Sequence, residues 1–313
     1  MVIEVPGVVR GTPATVTLQA MQLGDFELHL ILAGGWHPDG GTFFGVVPKV
    51  LWQRRKPADE HNLIRAACVG VVARYRGRVI VCETGIGAKL DERRARQLGT
   101  WEPEGLLHSL HRLGVRPEEV DLVLTTHLHW DHAGGLTRRA RDGRLEPTFP
   151  RARHLVQRAE WDFALHPDPR SRAAYLEEDL LPVAEAGLLE MVEGEAEVLP
   201  GLVLRPTGGH TPGHQLLLFR PSPDLACVVT GDLVGLQPHL RLSWNSSADL
   251  DVLRVIEEKA RLLEEAANHR WLLVLGHEVD GAAGYVDPGG GWTPEPALNR
   301  ELEVEPDGGE DGS

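Results

Sequence analysis

The sequence predicts an α/β fold, and two patterns in its 313 residues support this prediction. Apolar, β-branched runs of strand length recur along the chain, and several of them end at a glycine-bearing turn. Residues 249–269 instead repeat leucine, isoleucine and alanine at the spacing of one buried helix face. A chain of this length and pattern forms either two ordinary domains or one larger α/β domain.

In the first half of the chain, strand-like runs at residues 63–75 and 78–82 flank Arg76-Gly77 and predict a hairpin. The hairpin ends in the tight turn Glu83-Thr84-Gly85. Residues 102–113 predict a short amphipathic helix, and residues 120–124 predict a buried strand. His108 and His111 lie on that helix and could bind a metal, but such a pair without further ligands usually has no function.

Residues 36–52 fit neither the helix period nor the strand period, and we expect a loop there. The segment contains Trp36, Phe43, Phe44 and Trp52. These rings either form a hydrophobic wall over a pocket, make an oligomer contact or pack into the core, and the sequence leaves the choice open. A homodimer is compatible with this aromatic segment.

The second half of the chain repeats the strand and helix pattern. Strands are predicted at residues 151–157, 198–205, 215–219, 225–230 and 271–275, and helical structure at residues 160–165, 170–185 and 249–269. The folded domain is expected to span residues 1–286. Residues 287–313 are rich in glycine, proline and acidic residues and predict a C-terminal tail that is partly disordered.

Four potential metal ligands follow the predicted strand at residues 120–124, namely His127, His129, Asp131 and His132. His127 and His129 are two positions apart, so their side chains leave an extended segment on the same side. A lone histidine is usually a satisfied surface or core residue, and this chain has 15 of them. A His-x-His-x-Asp-His cluster at a strand end is instead typical of a metal site, and its nitrogen and oxygen donors suit Zn²⁺ and related ions.

Three further candidate ligands each follow an apolar run and a glycine, namely His210, Asp232 and His277. Because the strands of one sheet can place their carboxyl ends along one edge, we expect all these side chains to meet. A first metal would take His127, His129 and His210, and a second would take Asp131, His132 and His277. Asp232 would bridge them, since a carboxylate has two oxygens. The expected cofactor is two divalent ions, with Zn²⁺ as the first choice and Mn²⁺, Fe²⁺ or Co²⁺ also compatible.

Composition argues against several classes of protein. The net charge of −14 disfavours a nucleic-acid partner, and the arginines between residues 138 and 153 are interspersed with acidic residues, as on a solvated face. No apolar run reaches the length of about 18 residues that a membrane span needs, and the N-terminus lacks the pattern of a secretion signal. The three cysteines lie far apart and predict small core residues in a reducing cytosol. We therefore expect a cytoplasmic protein that acts on a small molecule.

The histidine motif and the order of the later ligands resemble the metallo-β-lactamase superfamily of metal-dependent hydrolases, over roughly residues 14–285. The resemblance implies a four-layer αββα sandwich that carries its site on loops along one edge. It also implies that His214 supports the ligands without binding metal. Glu83 departs from the Asp-Thr-Gly turn of the family, and this change is expected to affect local packing and not metal binding.

Within the superfamily, residues 39–52 resemble the quorum-quenching N-acyl homoserine lactonases, with Pro238-His239 and Trp244 as weaker support. Some of these lactonases carry a tyrosine three residues after the bridging aspartate, where it helps to polarise the lactone carbonyl. This chain has Gly235 at that position. The resemblance therefore implies either that His239 takes over this catalytic role or that the substrate differs.

The reaction expected of such a site is hydrolysis, in which a hydroxide held between two metals attacks an ester-type carbonyl. Asp131 would orient the nucleophile or carry its proton to the leaving alkoxide. Opening of N-acyl homoserine lactones is the leading expectation, and a phosphotriesterase or arylesterase with the same site is the alternative. The lack of a basic cluster disfavours a thioesterase, and the acidity of the chain disfavours a nuclease. The lack of an export signal disfavours a true β-lactamase. A flavin-dependent redox enzyme would need a further domain, and a non-catalytic relative would be expected to lack ligands.

Overall fold

Two mixed sheets lie face to face in the computed structural model, which describes residues 20–302. Within these residues the strands are, in chain order, β1 (Met21–Leu23), β2 (Phe26–Trp36), β3 (Ala66–Tyr75), β4 (Arg78–Cys82), β5 (Leu122–Leu124), β6 (Thr137–Arg139), β7 (Leu145–Pro147), β8 (Arg153–Gln157), β9 (Leu189–Val192), β10 (Ala196–Leu199), β11 (Leu202–Pro206), β12 (Gln215–Ser222), β13 (Leu225–Val229), β14 (Leu272–Val274), β15 (Ala283–Val286) and β16 (Trp292–Pro294). The α-helices are α1 (Gly40–Phe44), α2 (Lys49–Trp52), α3 (Glu92–Leu98), α4 (Gly105–Arg112), α5 (Trp130–Ala133), α6 (Arg158–Leu165), α7 (Glu177–Glu185), α8 (Val252–His269) and α9 (Pro296–Asn299).

Each large sheet combines antiparallel and parallel pairs. The first has the order β1-β2-β3-β4-β5-β8-β9 and is parallel from β4 to β9. The second runs from β10 to β16 in sequence order, and its β13–β14 pair is parallel. The predicted hairpin is confirmed as β3 and β4, with Tyr75 opposite Arg78. Strands β6 and β7 form a small separate hairpin.

Successive residues along one strand face different layers, because side chains alternate across a sheet. In β12, Leu217 belongs to the core between the two sheets, together with Leu28 of the first sheet. Its neighbours Leu216 and Leu218 belong instead to the core beneath α8, which includes Leu262. A third core joins the outer face of the first sheet to α4 and α6. Three cores separate four layers, and the αββα sandwich is confirmed.

The longest helix, α8, begins three residues later than the sequence predicts. The Asp251 side chain accepts a hydrogen bond from the backbone nitrogen of Arg254 and caps the helix. The backbone nitrogens of Leu250 and Asp251 donate to Gly209 O instead of continuing the helix. These two bonds attach the start of the helix to the loop that carries His210.

Three predictions of local structure are wrong. Residues 36–52 contain the end of β2 and two short helices, α1 and α2, which are too brief to show a helical period. The strand predicted at residues 198–205 is two strands, because Gly201 turns the chain with a φ of 81°. Helix α7 starts at Glu177, so the helix predicted at residues 170–185 is shorter.

The C-terminal segment begins as part of the second sheet, since β16 pairs with β15 and α9 follows it. The boundary at residue 286 between domain and tail stays a prediction. The N-terminal residues on which the predicted lack of a secretion signal rests lie outside the described range. Residues 303–313 of the predicted tail also lie outside it. Between residues 20 and 302, no helix combines the length and the apolarity that crossing a membrane would require.

Candidate metal centre

The loops that carry the predicted ligands lie together at one edge of the sandwich. His127 and His129 follow β5, and Asp131 and His132 lie on the single turn of α5. Asp232 and His277 follow the parallel neighbours β13 and β14, and His210 follows β11. Backbone hydrogen bonds join the two sheets at this edge, from Gln215 N to Thr126 O and from Ala67 N to His277 O. The structure therefore brings all seven predicted residues into one region.

The seven side chains form two groups of donor atoms, and within each group these atoms lie within 4.8 Å of one another. The first group contains His127, His129, His210 and Asp232, and the second contains Asp131, His132 and His277. In the first group, His129 Nδ1 lies 3.0 Å from His127 Nε2 and 3.2 Å from His210 Nε2. In the second, His132 Nε2 lies 3.2 Å from His277 Nε2.

Asp232 lies between the two groups and directs one carboxylate oxygen to each. Its Oδ2 is 3.0 Å from His210 Nε2 in the first group. Its Oδ1 is 2.7 Å from His277 Nε2 and 3.3 Å from His132 Nε2 in the second. This is the geometry that a bridging carboxylate requires.

The donor set fits a pair of divalent ions of the zinc type. Bonds of about 2.0–2.1 Å in tetrahedral geometry hold neighbouring nitrogen ligands about 3.3 Å apart. The nitrogen separations of 3.0–3.2 Å are close to that value. Imidazole nitrogens that converge so closely are suited to a shared cation.

The imidazole rings are oriented by acceptors on their far nitrogens, a common arrangement at metal sites. His210 Nδ1 pairs with Asp249 Oδ1 at 2.7 Å, and His277 Nδ1 pairs with Ala67 O at 2.9 Å. His127 Nδ1 lies 3.1 Å from Thr126 Oγ1. Sequence reasoning missed Asp249, whose position before α8 gives no sign that it contacts His210.

Glu83 has a more direct role than the sequence suggests. Its Oε2 pairs with His132 Nδ1, and its Oε1 accepts a hydrogen bond from Thr126 N at 2.6 Å. The residue adopts a φ of 66°, which few non-glycine residues do. The longer side chain at this turn thus contacts a candidate ligand, in addition to any effect on packing.

A second buried carboxylate, Glu160, connects the loops of the first group. It accepts hydrogen bonds from Leu128 N, Tyr175 Oη, Thr211 Oγ1 and Gly213 N. Burial raises the pKa of Glu160. These bonds fix the residue before His129 and the segment after His210, so Glu160 is a support and not a ligand.

His214, which the resemblance places behind the ligands, supports Asp232. Its Nδ1 lies 2.6 Å from Thr207 Oγ1, and its Nε2 accepts a hydrogen bond from Asp232 N at 3.2 Å. Burial lowers the pKa of His214 to about 3, so the ring is neutral and Nε2 is free to accept. His108 and His111 lie on α4, and neither belongs to the two groups. His108 instead contacts Glu102 and Glu104.

The electrostatics of the first group favour neutral imidazoles at His127 and His129 but not at His210, where Asp232 and Asp249 outweigh burial and raise the pKa to about 10. Burial, together with the neighbouring imidazoles, holds the pKa values of His127 and His129 well below their usual range. The unprotonated form is the one that binds metal. Burial also opposes charge on His132, but the carboxylates of Glu83, Asp131 and Asp232 outweigh this effect and raise its pKa.

A cavity of about 150 Å³ opens onto the two groups, and it explains part of the aromatic segment. Trp36 and Phe43 line this cavity, and their rings lie 4.9 Å and 5.3 Å from the ring of His277. Phe44 and Trp52 instead stack on each other at 4.8 Å in the core. All four rings therefore pack into the core, and Trp36 and Phe43 also line the cavity.

The same segment also exposes apolar side chains. Val46, Val50 and Leu51 are 97%, 61% and 48% exposed. A homodimer contact at this surface stays a prediction.

His239 lines the cavity and is 3% exposed. Its Nε2 lies 2.8 Å from Phe43 O, so Nε2 carries the proton and donates. Burial lowers the pKa of His239 to about 3, and the ring is therefore neutral. Its Nδ1 is then a hydrogen-bond acceptor, which cannot donate to a carbonyl oxygen.

Gly235 occupies the position at which the resemblance implies a tyrosine in some lactonases. A Cβ at this position would lie 3.1 Å from Cδ2 of His277 and 3.8 Å from Nδ1 of His239. A side chain at residue 235 would therefore press on a candidate ligand. The cavity reaches this glycine.

Comparison with known proteins identifies the class to which this fold and site belong. The sequence matches the metallo-β-lactamase superfamily over residues 66–277, and the chain belongs to that superfamily. The match includes every one of the seven predicted ligands and ends at His277.

Individual relatives agree with the predicted resemblance. An N-acyl homoserine lactonase from a Bacillus species is 30% identical over 179 residues, which cover 57% of this chain and 64% of that protein. The chain therefore aligns with less than two thirds of the length of this relative. The crystal structure of a probable metal-dependent hydrolase from Staphylococcus aureus is 28% identical, with a TM-score of 0.81 over 88% of this chain and 99% of that chain. AidC, a dizinc quorum-quenching lactonase, is 21% identical with a TM-score of 0.71 over 88% of this chain and 97% of its own, and this likeness shows the fold alone.

Proposed function

We propose that this protein is a dinuclear metal-dependent hydrolase that opens lactones, with N-acyl homoserine lactones as the leading substrate class. The observation that carries the proposal is the position of Asp232, whose two carboxylate oxygens face two separate groups of imidazoles. The sequence relatives named as N-acyl homoserine lactonases support the choice of substrate.

Two divalent ions at this site would polarise the substrate carbonyl and supply an activated water at neutral pH. His127, His129 and His210 would hold one ion, His132, His277 and Asp131 would hold the other, and Asp232 would contact both. Asp249 and Glu83 would fix the ring orientation of His210 and His132.

Asp131 is the proposed proton carrier. It lines the cavity, and its Oδ2 lies 3.8 Å from His277 Nε2 and 3.9 Å from His132 Nε2. Burial raises its pKa, which favours transient protonation of this carboxylate. Asp131 Oδ2 would accept a proton from the attacking water and donate it to the leaving alkoxide as the ring opens.

The cavity suggests how a lactone would lie. Its volume of about 150 Å³ is below the roughly 300–1,000 Å³ of most ligand pockets, so it would hold the ring and leave an acyl chain to extend past the rim. Trp36 and Phe43 would cover the apolar side of the ring. We propose that His239 positions the substrate by accepting a hydrogen bond from its amide N–H at Nδ1, in place of polarising the carbonyl.

Hydrolysis of a small substrate panel by metal-reconstituted protein tests this proposal. The panel contains a long-chain N-acyl homoserine lactone, a simple γ-lactone, paraoxon and an aryl ester. The His127→Ala variant serves as the control for the metal centre.

We expect rapid, metal-dependent opening of the acyl homoserine lactone, slow turnover of paraoxon and little activity in His127→Ala. A preference for paraoxon or the aryl ester with inert lactones would overturn the lactonase assignment in favour of a phosphotriesterase or arylesterase. Equal activity of His127→Ala would overturn the metal-dependent mechanism.

A further inference from the structure

A second and larger cavity lies beside the metal centre. Its volume is about 540 Å³, within the range of small-molecule sites. Residues 55–57 and Arg65 line one side, and residues 237, 238, 240, 241, 278–280 and 290–292 line the rest. None of the seven candidate metal ligands lines it, so it is separate from the cavity described above.

The lining of this cavity is cationic, whereas the chain as a whole has a net charge of −14. Arg55, Lys56, Arg65 and Arg241 face two carboxylates, Glu278 and Asp280. Lys56 Nζ is 2.6 Å from Glu278 Oε1, and both side chains are largely buried, so these two charges neutralise each other. Three guanidinium groups then remain against the one carboxylate of Asp280.

The three arginines keep their hydrogen-bond donors free. Within residues 20–302, none of them has an ion-pair partner or a side-chain hydrogen bond. The guanidinium of Arg65 lies 4.3 Å from the ring centre of Trp101, and that of Arg241 lies 5.2 Å from the ring centre of Trp244. Stacking on an aromatic ring holds a guanidinium in place without using its N–H groups.

Apolar surface accompanies the charges. Leu240 and Pro238 are buried in the wall, and the indole of Trp292 is fixed there by a hydrogen bond from Nε1 to Gly281 O at 3.1 Å. A ligand that fills this cavity would therefore combine an anionic group with an apolar or aromatic body. Several guanidinium forks suit a phosphate, whose three terminal oxygens accept more hydrogen bonds than a carboxylate can.

We propose that this cavity, lined by Arg55, Arg65 and Arg241, is a binding site for a small organic phosphate. The site adjoins the metal centre through its backbone, because Pro238 precedes His239 and Glu278 follows His277. It is nonetheless a separate pocket, because its lining is cationic and contains none of the candidate metal ligands.

Calorimetric titration of the zinc-loaded protein with phenylphosphonate tests the proposal, since this probe carries the anionic group and a ring and cannot be hydrolysed as an ester. The test variants carry Arg65→Gln, Arg241→Gln or both changes. Variants with lysine at the same positions are measured alongside them. Arg141→Gln is the matched control, because Arg141 is an exposed arginine outside the cavity. His127→Ala reports binding of the probe at the metal centre, and phenylacetate tests a carboxylate of similar size.

We expect the paired Arg→Gln change to weaken phenylphosphonate binding by at least about tenfold, with the Arg→Lys pair intermediate. Arg141→Gln and His127→Ala should bind as the unchanged protein does, and thermal unfolding should show that each variant is folded. Binding that is insensitive to the arginine changes, or that is lost in His127→Ala, would overturn the proposal. Phenylacetate binding as tightly as phenylphosphonate would overturn the assignment to phosphate.

Discussion

Asp249 Oδ1 lies 2.7 Å from His210 Nδ1. The other oxygen of the same carboxylate accepts a hydrogen bond from Ser246 N at 3.0 Å, and Ser246 lines the cavity. One buried side chain therefore connects a candidate metal ligand to the lining of the cavity at the candidate metal centre. A charged acceptor at this position fixes the ring and increases the basicity of the nitrogen that would bind a metal.

We predict that Asp249→Asn lowers the affinity for zinc roughly 10- to 100-fold, the usual cost of removing such a partner. The amide keeps the size of the side chain but loses its charge. Competition with a chromogenic chelator measures the dissociation constant directly.

Asp251→Asn is the matched control for this measurement. Asp251 lies two residues further on and caps α8, but its side chain contacts Arg254 N and not a candidate ligand. Equal loss of zinc affinity in both variants would mean that Asp249 acts through the start of the helix and not through His210.

His239→Phe should change the choice of substrate. The substitution retains an aromatic ring but removes the Nδ1 acceptor, so kcat/KM for an N-acyl homoserine lactone should fall about tenfold, as for a lost buried hydrogen bond. A γ-lactone without an amide should lose much less, because it makes no such bond.

Steady-state kinetics with both lactones on the same variant provide an internal control, since the lost bond to Phe43 O affects both substrates alike. An equal fall for the two lactones would contradict the proposed contact. It would favour the catalytic role first expected for His239.

Lys259 gives the stability a dependence on pH. Its ammonium is buried in α8 and donates to Trp244 O at 2.8 Å and to Asn245 Oδ1 at 2.6 Å, and burial lowers its pKa from 10.5 to about 8. Between about pH 8 and 10.5 the unfolded chain binds a proton that the folded chain does not. The contribution of Lys259 to the free energy of unfolding therefore rises with pH in this window.

Urea denaturation at pH 8 and pH 10 measures this effect as the difference in the free energy of unfolding between the unchanged protein and Lys259→Met. Relative to Lys259→Met, the unchanged protein should gain stability at the higher pH. The exposed Lys49→Met variant should follow the unchanged protein at both values. A constant difference between the unchanged protein and Lys259→Met would show that the pKa of Lys259 is not lowered.

The sequence predicts that the candidate ligands lie close together because each group of them follows a strand. A histidine or aspartate directly after an apolar run and a glycine must lie at the end of that run, and sheet pairing then brings these ends together. His210, Asp232 and His277 are far apart in the chain, yet all three lie in the two groups. The resemblance to the family supplied the layer order, which strand patterns alone do not define.

The supporting residues are harder to predict, because they follow from the packing of loops. Asp249 reaches His210 only because the start of α8 is bonded to Gly209 O, and nothing near Asp249 in sequence indicates this. The conformation of Glu83 likewise depends on a positive φ that its residue type does not suggest. Phe43 reaches the cavity and Phe44 does not because they are neighbours on a short helix, where consecutive side chains face different directions.

The number of metal ions bound per chain tests the central claim most directly. Mass spectrometry of metal content after zinc reconstitution, with lactonase activity followed in parallel, provides the measurement. We predict two zinc ions per chain and full activity only when both are bound, with fewer than two retained by Asp232→Asn. A fully active protein that holds one zinc ion or none, or unchanged zinc content in Asp232→Asn, would contradict the assignment of Asp232 as the bridge of a dinuclear centre.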